Sequence, residues 1–457
     1  MNTVADLLLS AVRRFSILLK LGVIGILILL LLIPLGMVES VLHDRKQLRD
    51  EAVKDITSTW GQDQSITGPV LVVPYIYKWN EINSKNETVV RTGSAFAYFL
   101  PAELSIEGKA DTQKRARGIY QAVLYSTHLS VAGRFAAPDW AALNIKPEEI
   151  HWEDAYLALA IDDLRGARDV ISGQWGGRAI SFKPGVLLPG FSSGINASLK
   201  GTSCPAQPVP FSLDLDLNGS ASIGFTPVGA KNETNLSSNW PGPSFNGAYL
   251  PTQRESSPRG FNAKWLVSYY GRNYPQLWTD RSRGVEFKEQ NVAPSRYGVR
   301  FINPVDCYRC VERAIKYGIL FVVLTFTAFF LFEITCNLRI HMFQYILVGM
   351  ALCLFYLALL ALSEFLTFER AYALAAAVCT VMISLYSMTV LRSGPRTLLM
   401  GCGLAGIYTF LYIILQMEDY SLLAGTVGLF LALGAVMLAT RKIDWYAERQ
   451  PSPPPLP

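Results

Sequence analysis

LGVIGILILLLLIPLGMV, residues 21–38, carries no charge over 18 consecutive positions. That is close to the roughly 20 apolar residues an α-helix needs to cross a bilayer. Pro34 falls near its far end, where a kink is expected. Beyond a long hydrophilic middle come five more apolar runs, at 317–332, 342–363, 371–391, 397–417 and 420–440. The first of these is short and is expected to reach from about Arg313 to Glu333 with its polar ends snorkelling. Soluble core helices seldom read as five such runs in succession, so six transmembrane helices are expected. The 21–38 run is also longer than the apolar stretch of a typical secretion signal, which makes it an uncleaved anchor.

Composition agrees. Of 457 residues, 51% are hydrophobic and only 17% charged, against about 25% charged in a typical soluble domain. The formal net charge of +5 divides into +3 on residues 39–316 and +2 elsewhere, so no basic patch stands out and no nucleic-acid partner is expected. The short loops fix an orientation. With residues 1–20 cytoplasmic, the inside carries Arg13, Arg14, Lys20, Arg339, Arg392, Arg396, Arg441, Lys442 and Arg449, and the outside short loops only Arg370. By the positive-inside rule both termini are cytoplasmic, and 39–316 forms a periplasmic domain.

That outer domain opens with a helical stripe, Val41, Leu48, Ala52, Ile56 and Trp60, read as a stalk continuing the anchor or as an ordinary domain helix. After Gly68-Pro69 the period changes to two. Strands are expected at 70–79, 89–99, 104–108, 119–125 and 127–135. Leu213, Leu215 and Leu217 alternate with Asp214, Asp216 and Asn218, and Asn218-Gly219 suggests a hairpin turn back through Ala221, Ile223 and Phe225. Short helices are expected at 139–143 and 163–170. The fold class is thus a membrane protein with one N-terminal and five C-terminal transmembrane helices around a large antiparallel β-rich domain. An aromatic stretch at 238–278 reads either as a peptide, glycan or lipid surface or, preferably, as the core of that domain.

Chemistry is sparse. The four histidines, His43, His128, His151 and His341, have no ligand spacing to one another or to a Cys pair, so no metal is expected. Asp214 and Asp216 read as the wet face of a strand. No phosphate loop or Gly-x-Ser-x-Gly elbow is present. No cofactor and no enzymatic activity are therefore expected. Cys336, Cys353, Cys379 and Cys402 fall in or beside apolar runs. Cys307 and Cys310 have the spacing of a redox pair without a βαβ setting, and a plain disulfide, local or to Cys204, is the reading. Charges are missing from the interiors of the spans, with Glu333 and His341 only at an edge, which argues against an ion-coupled transporter. Residues 451–457 form a Pro-rich cytoplasmic tail with polyproline II character.

Three stretches carry a family resemblance: RDEAVKDITSTWGQDQSITGPVLVVP at 49–74, RGIYQAVLY at 117–125 with WPGPSF at 240–245 and GFNAKW at 260–265, and VERAIKYGILFVVLTFTAFFLFEI at 311–334 with HMFQYILVGMALCLFYLALLALSEF at 341–365. Over nearly its whole length the chain resembles the CreD family, bacterial inner-membrane proteins of cell-envelope integrity and colicin tolerance. The resemblance implies an inner-membrane location, a periplasmic domain and a role in an envelope, β-lactam or colicin response. It supplies no catalytic residues. The Cys307/Cys310 pair departs from the family pattern, so it implies no general role for a disulfide there. Expected partners are inner-membrane lipid and a periplasmic envelope protein or glycan, with no oligomeric state indicated. The alternative function is a transporter or lipid-handling channel with a periplasmic substrate-binding domain.

Overall fold

A computed structural model describes residues 2–82, 87–282, 284–285, 287–302, 307–335, 340–391, 393–417 and 420–441, with side chains from Leu19 onward. The chain divides into a helical unit, Met1–Arg49 with Val305–Pro457, and a β unit, Asp50–Pro304.

In the helical unit, four helices are long and apolar enough to cross a membrane among the described residues. They are Leu19–Trp60, Met342–Ser363, Phe368–Thr389 and Gly394–Gln416. A bent pair, Cys307–Lys316 and Gly318–Ile334, meets at 47° and brings the number to five if the two helices together make one span. The expected extension back to Arg313 is therefore a separate helix. It is amphipathic, burying Tyr308, Val311, Ala314 and Ile315, whereas the helix after it is apolar all round. Such a change of pattern suits an interfacial piece followed by a crossing one. The sixth expected span is helical at Ser421–Thr440, with a shorter apolar stretch at Leu423–Leu438.

The N-terminal helix runs unbroken through Pro34, from Asn2 to Trp60. Ile24, Leu27, Leu31, Leu35, Val38 and Leu42 are buried, three or four residues apart, while Ile26, Leu29, Leu30, Ile33 and Met37 face outward. That spacing is a seam of the coiled-coil kind. Glycines receive it: a Cβ at Gly349 would fall on Leu31 Cδ1, and one at Gly318 would lie 2.9 Å from Leu35 Cδ2. Small residues let helices approach closely where apolar burial alone gives no net drive. The expected outer stripe is corrected in part. Val41 and Leu48 are exposed, and only Ala52, Ile56 and Trp60 are half-buried.

The β unit packs a nine-stranded and an eight-stranded sheet around one core. Pairing is antiparallel except between Gln64–Ile82 and Ser222–Phe225, and between Glu103–Arg117 and Lys231–Ser238. The strand Gln64–Ile82 is central, pairing with Thr88–Phe99, Tyr156–Ile161 and Ser222–Phe225 along its length. Three expectations are corrected. Residues 119–125 and 127–135 form one strand, Tyr120–Phe135, because Ser126 stays in register between Asp111 and Asn218. The 213–225 hairpin does not form. Val209–Ser220 runs straight through Asn218-Gly219 in one sheet, and Ala221, at φ +53°, turns the chain into Ser222–Phe225 in the other. Asn218 and Gly219 stay in the strand through their pairing with Ser126 and Tyr125, and a side chain at 219 would strike the Tyr125 ring. The short helices at 163–170 and 139–143 shrink to a 3-10 turn, Leu164–Gly166, and a hydrogen-bonded turn after Asp139. Gly166 packs on the Asn218 carbonyl, leaving no room to continue.

Candidate functional site

Two polar constructions stand out, one in each unit. In the helical unit, charge sits at two levels of the N-terminal helix. At one, the Glu333 carboxylate pairs with Lys20, accepts from Tyr345 Oη at 3.2 Å and from Ile340 N at 3.2 Å, and Lys20 also donates to Ile340 O at 3.0 Å. Glu333 is 9% exposed. At the other level, Glu364 accepts from Tyr308 Oη at 3.0 Å and pairs with Arg45 at 3.6 Å, while Glu312 pairs with Lys46 and Lys316. The 25 residues from Lys20 to Arg45 rise about 38 Å at 1.5 Å each. That exceeds the roughly 30 Å hydrocarbon core of a bilayer. Between the levels, the bundle's buried polar groups include hydroxyls and thiols. Tyr372 Oη donates to Tyr408 O at 2.7 Å and Cys379 Sγ to Ala351 O at 3.2 Å, while the Thr325 and Tyr356 hydroxyls are buried with no hydrogen-bond partner.

In the β unit, a polar patch lies on the outer face of the nine-stranded sheet, opposite Ile66, Ile223 and Val299 of the core. Strand register builds its floor: Ser65 lies beside Gly224, and Gly224 beside Gly298. A strand glycine often marks close approach by another group. Asp162, whose N–H donates to Ser65 O at 3.2 Å, borders the floor on one side, and Asn246, opposite Gly298, on the other. Asp63 accepts from the Ser222 hydroxyl and faces Arg300. Arg296 lies 3.6 Å from both Asp162 and Glu289. Burial raises the Asp63 carboxyl above its usual pKa, opposed by Ser222 and Arg300. Burial raises Asp162 likewise, opposed by Arg296 and reinforced by Glu289 and Asp63. Both aspartates nonetheless remain exposed to solvent. Ser65 is 7% exposed, and its hydroxyl has no hydrogen-bond partner. Sequence reasoning missed this site because its rows come from four separated segments; the strand glycines Gly224 and Gly298 were the available signal.

The residues singled out by sequence take other places. Cys307 and Cys310 lie one turn apart on the amphipathic helix Cys307–Lys316, both half-buried. Cys204 is an exposed thiol whose pKa burial raises against a hydrogen bond from Trp140. His341 caps the Met342–Ser363 helix, its Nδ1 accepting from Phe343 N at 3.2 Å while Gln344 closes the capping box. Asp214 and Asp216 alternate with buried leucines on the wet face, Asp216 beside His128 at 3.0 Å. In the aromatic stretch, Trp240, Phe261, Trp265, Tyr274 and Trp278 are core, and Tyr270 is outside. Among the described residues no group of three or more His, Cys, Asp or Glu is placed to hold a metal ion. Cys336 and the tail 451–457 lie outside the described residues.

A family model described as Inner membrane protein CreD matches residues 16–446. Inner membrane protein CreD of Escherichia coli (strain K12) is 31% identical over 420 residues, 92% of each chain. Among solved structures, an M1 zinc metallopeptidase from Deinococcus radiodurans aligns with a TM-score of 0.20 at 9% identity, covering 79% of this chain and 96% of that one. So loose a superposition carries no argument about fold or chemistry.

Proposed function

The chain belongs to the CreD family of inner membrane proteins, and from that premise we propose that it maintains the cell envelope without catalysis. In this reading it crosses the inner membrane six times, both termini are cytoplasmic, and residues 39–316 work in the periplasm. Its setting is the envelope, β-lactam or colicin response, and its partners are inner-membrane lipid and a periplasmic envelope protein or glycan. The observation that carries the proposal is the double pinning of the N-terminal helix, by Lys20–Glu333 at one level and by Arg45–Glu364 and Lys46–Glu312 at the other. Clamping at both levels makes the helix a fixed member of the helical unit. Buried charge here is consumed by pairing, which favours a scaffold over an ion-coupling device.

Complementation of a deletion strain tests this. Full-length protein is expected to restore envelope permeability and β-lactam or colicin tolerance, and a soluble periplasmic fragment of 50–304 is expected to fail. A fragment that complements, or purified protein that hydrolyses a nucleotide, sinks the reading. Reporter fusions test the topology: activity of a periplasmic reporter fused after residue 441 overturns it. The transporter or lipid-handling alternative is favoured by one observation, the partnerless Thr325 and Tyr356 hydroxyls inside the bundle. Solute uptake or lipid transfer in proteoliposomes decides for it.

A further inference from the structure

We propose that an open groove on the outer face of the eight-stranded sheet is a binding site for a neutral glycan. The site rests on the envelope reading and gives its glycan partner a place to bind. The groove has a volume of about 430 Å³, within the usual range of small-ligand sites. Strand register builds it. In one row Glu107 lies beside Asn235, Asn235 beside Lys264, and Lys264 beside Gln253. In the next row on that face, Lys109, Ser237, Asn262 and Glu255 line up in the same way. Leu236 and Ala263, between the rows, are buried on the core side. The middle strands, Lys231–Ser238 and Gly260–Ser268, carry the short side chains Asn235, Ser237 and Asn262. The flanking strands, Glu103–Arg117 and Gln253–Ser257, carry the longer Glu107, Lys109, Gln253 and Glu255. A short floor between long walls makes a trough, roughly 14 Å from wall strand to wall strand at about 4.8 Å per strand. Lys264, a long side chain on a floor strand, reaches out to Glu233 at 2.5 Å and closes one end.

Both rows are polar throughout, so an aliphatic ligand would strip water from them and return no hydrogen bond. The Gln253 and Asn262 amides offer donors and an acceptor side by side, and the Glu107 and Glu255 carboxylates offer acceptors. These four side chains are exposed, and no hydrogen bond or ion pair joins them to other described residues. Sugar hydroxyls donate and accept at once, which matches such a mixed set. Charge agrees, since Arg254 and Lys264 offset Glu107 and Glu255 in the lining. An anionic or a cationic ligand gains nothing there. Glu107 and Glu255 stand on opposite walls, too far apart to share a metal ion, whose oxygen ligands lie at about 2.3–2.6 Å even for Ca²⁺. A peptide main chain also suits the amides, but its apolar side chains find no apolar wall.

Titration calorimetry on the full chain in phosphatidylglycerol nanodiscs tests this with chitotetraose, cellotetraose and the peptide tetra-alanine. Saturable binding of at least one tetrasaccharide is expected, with tetra-alanine about ten-fold weaker or worse. Preference for chitotetraose assigns an N-acetylated glycan, and preference for cellotetraose a plain hexose chain; either supports the site. Gln253→Val with Asn262→Val removes both amides at exposed strand positions that accept β-branched residues. Binding weakened about ten-fold or more, with no fall in melting temperature, is the expected result. Gln253→Glu with Asn262→Asp keeps the shape, removes the NH₂ donors and is expected to weaken binding as well. Asp214→Ala, on the same sheet beyond Ser130 and outside the groove, is expected to bind normally. Binding is read on purified protein and envelope function by complementation, so the site and the envelope reading fail separately. No saturable binding of either tetrasaccharide, tighter binding of tetra-alanine, or full binding by both double variants overturns the proposal.

Discussion

The two units use charge in opposite ways. In the β unit most ion pairs lie on wet strand faces, such as Arg91–Glu81 at 2.8 Å and Arg134–Glu103 at 2.6 Å, with all four side chains at least 39% exposed. Pairs of that kind are worth roughly 0–1 kcal/mol. In the helical unit two of the acidic partners are withdrawn from solvent: the side chains of Glu333 and Glu364 are 10% and 6% exposed, against 32% for Glu312. There the pairs select which helices meet, because apolar surface looks alike to every neighbour in a bilayer. The lesson is that a charge specifies structure in proportion to how little water it keeps. The exception in the β unit is Asp163, whose side chain is 9% exposed and paired with Arg165.

The largest break of this comparison comes from Glu333→Ala. It leaves Lys20, Tyr345 and the Ile340 N–H without their acceptor. Removing one partner of a buried pair costs about 3–5 kcal/mol. Thermal unfolding in detergent should show a large fall in the helical unit, with Lys20→Met plus Glu333→Leu recovering most of it. Arg91→Ala is the control, and if it costs as much as Glu333→Ala the contrast between the units fails.

Asp163 is next. It accepts from Gln62 N at 3.0 Å and from the Arg165 N–H groups at 2.9 and 3.1 Å. Asp163→Ala strands these donors and should cost about 2–3 kcal/mol. Burial alone would raise this carboxyl, but Arg165 and the Gln62 N–H outweigh it and hold the folded pKa below the ordinary 3.8. Its contribution is therefore complete above 3.8 and disappears as pH falls through the lowered folded value. A pH series of melting curves should show that acid loss in the wild type and not in Asp163→Ala; parallel curves refute the assignment.

Gly349→Leu comes third. It drives a side chain into Leu31, an overpacking that costs about 1–3 kcal/mol. Co-purification of residues 1–49 with a separately expressed 305–457 should weaken, and unchanged recovery removes the glycine seam from the account. The smallest effect expected is from Cys307→Ser plus Cys310→Ser. The pair is expected to be oxidised in cells, yet its loss should leave envelope function intact. Thiol labelling without reductant checks the first part, and complementation the second.

Much of this was readable in the residues. Uninterrupted apolar runs gave the apolar helices, since a lipid-facing helix needs an apolar surface along its length, and Leu213, Leu215 and Leu217 named their buried face. What escaped reading depended on partners distant in the chain. Asn218-Gly219 has turn chemistry, yet the Tyr125 ring and the ladder to Tyr120–Phe135 keep it extended. Lys46 pairs with Glu312, a partner far off in the chain that local spacing does not show. The polar patch on the nine-stranded sheet draws on residues 63–65, 162, 222–224 and 296–300, and no local period connects them.

The pairing of Gln64–Ile66 with Ile223–Phe225, itself paired with Tyr297–Phe301, also has a bearing on biogenesis. The opening strand of the β unit reaches its closing strand only through one in between, and these segments are separated by more than seventy residues at each step. Non-local closure of this kind is slow. Until residue 301 is synthesised, Ser222–Phe225 has an open edge, the sort of surface that recruits foreign strands. Maturation of the nascent chain is therefore paced by sheet completion, and a chain released before residue 297 is expected to depend on chaperones or be degraded.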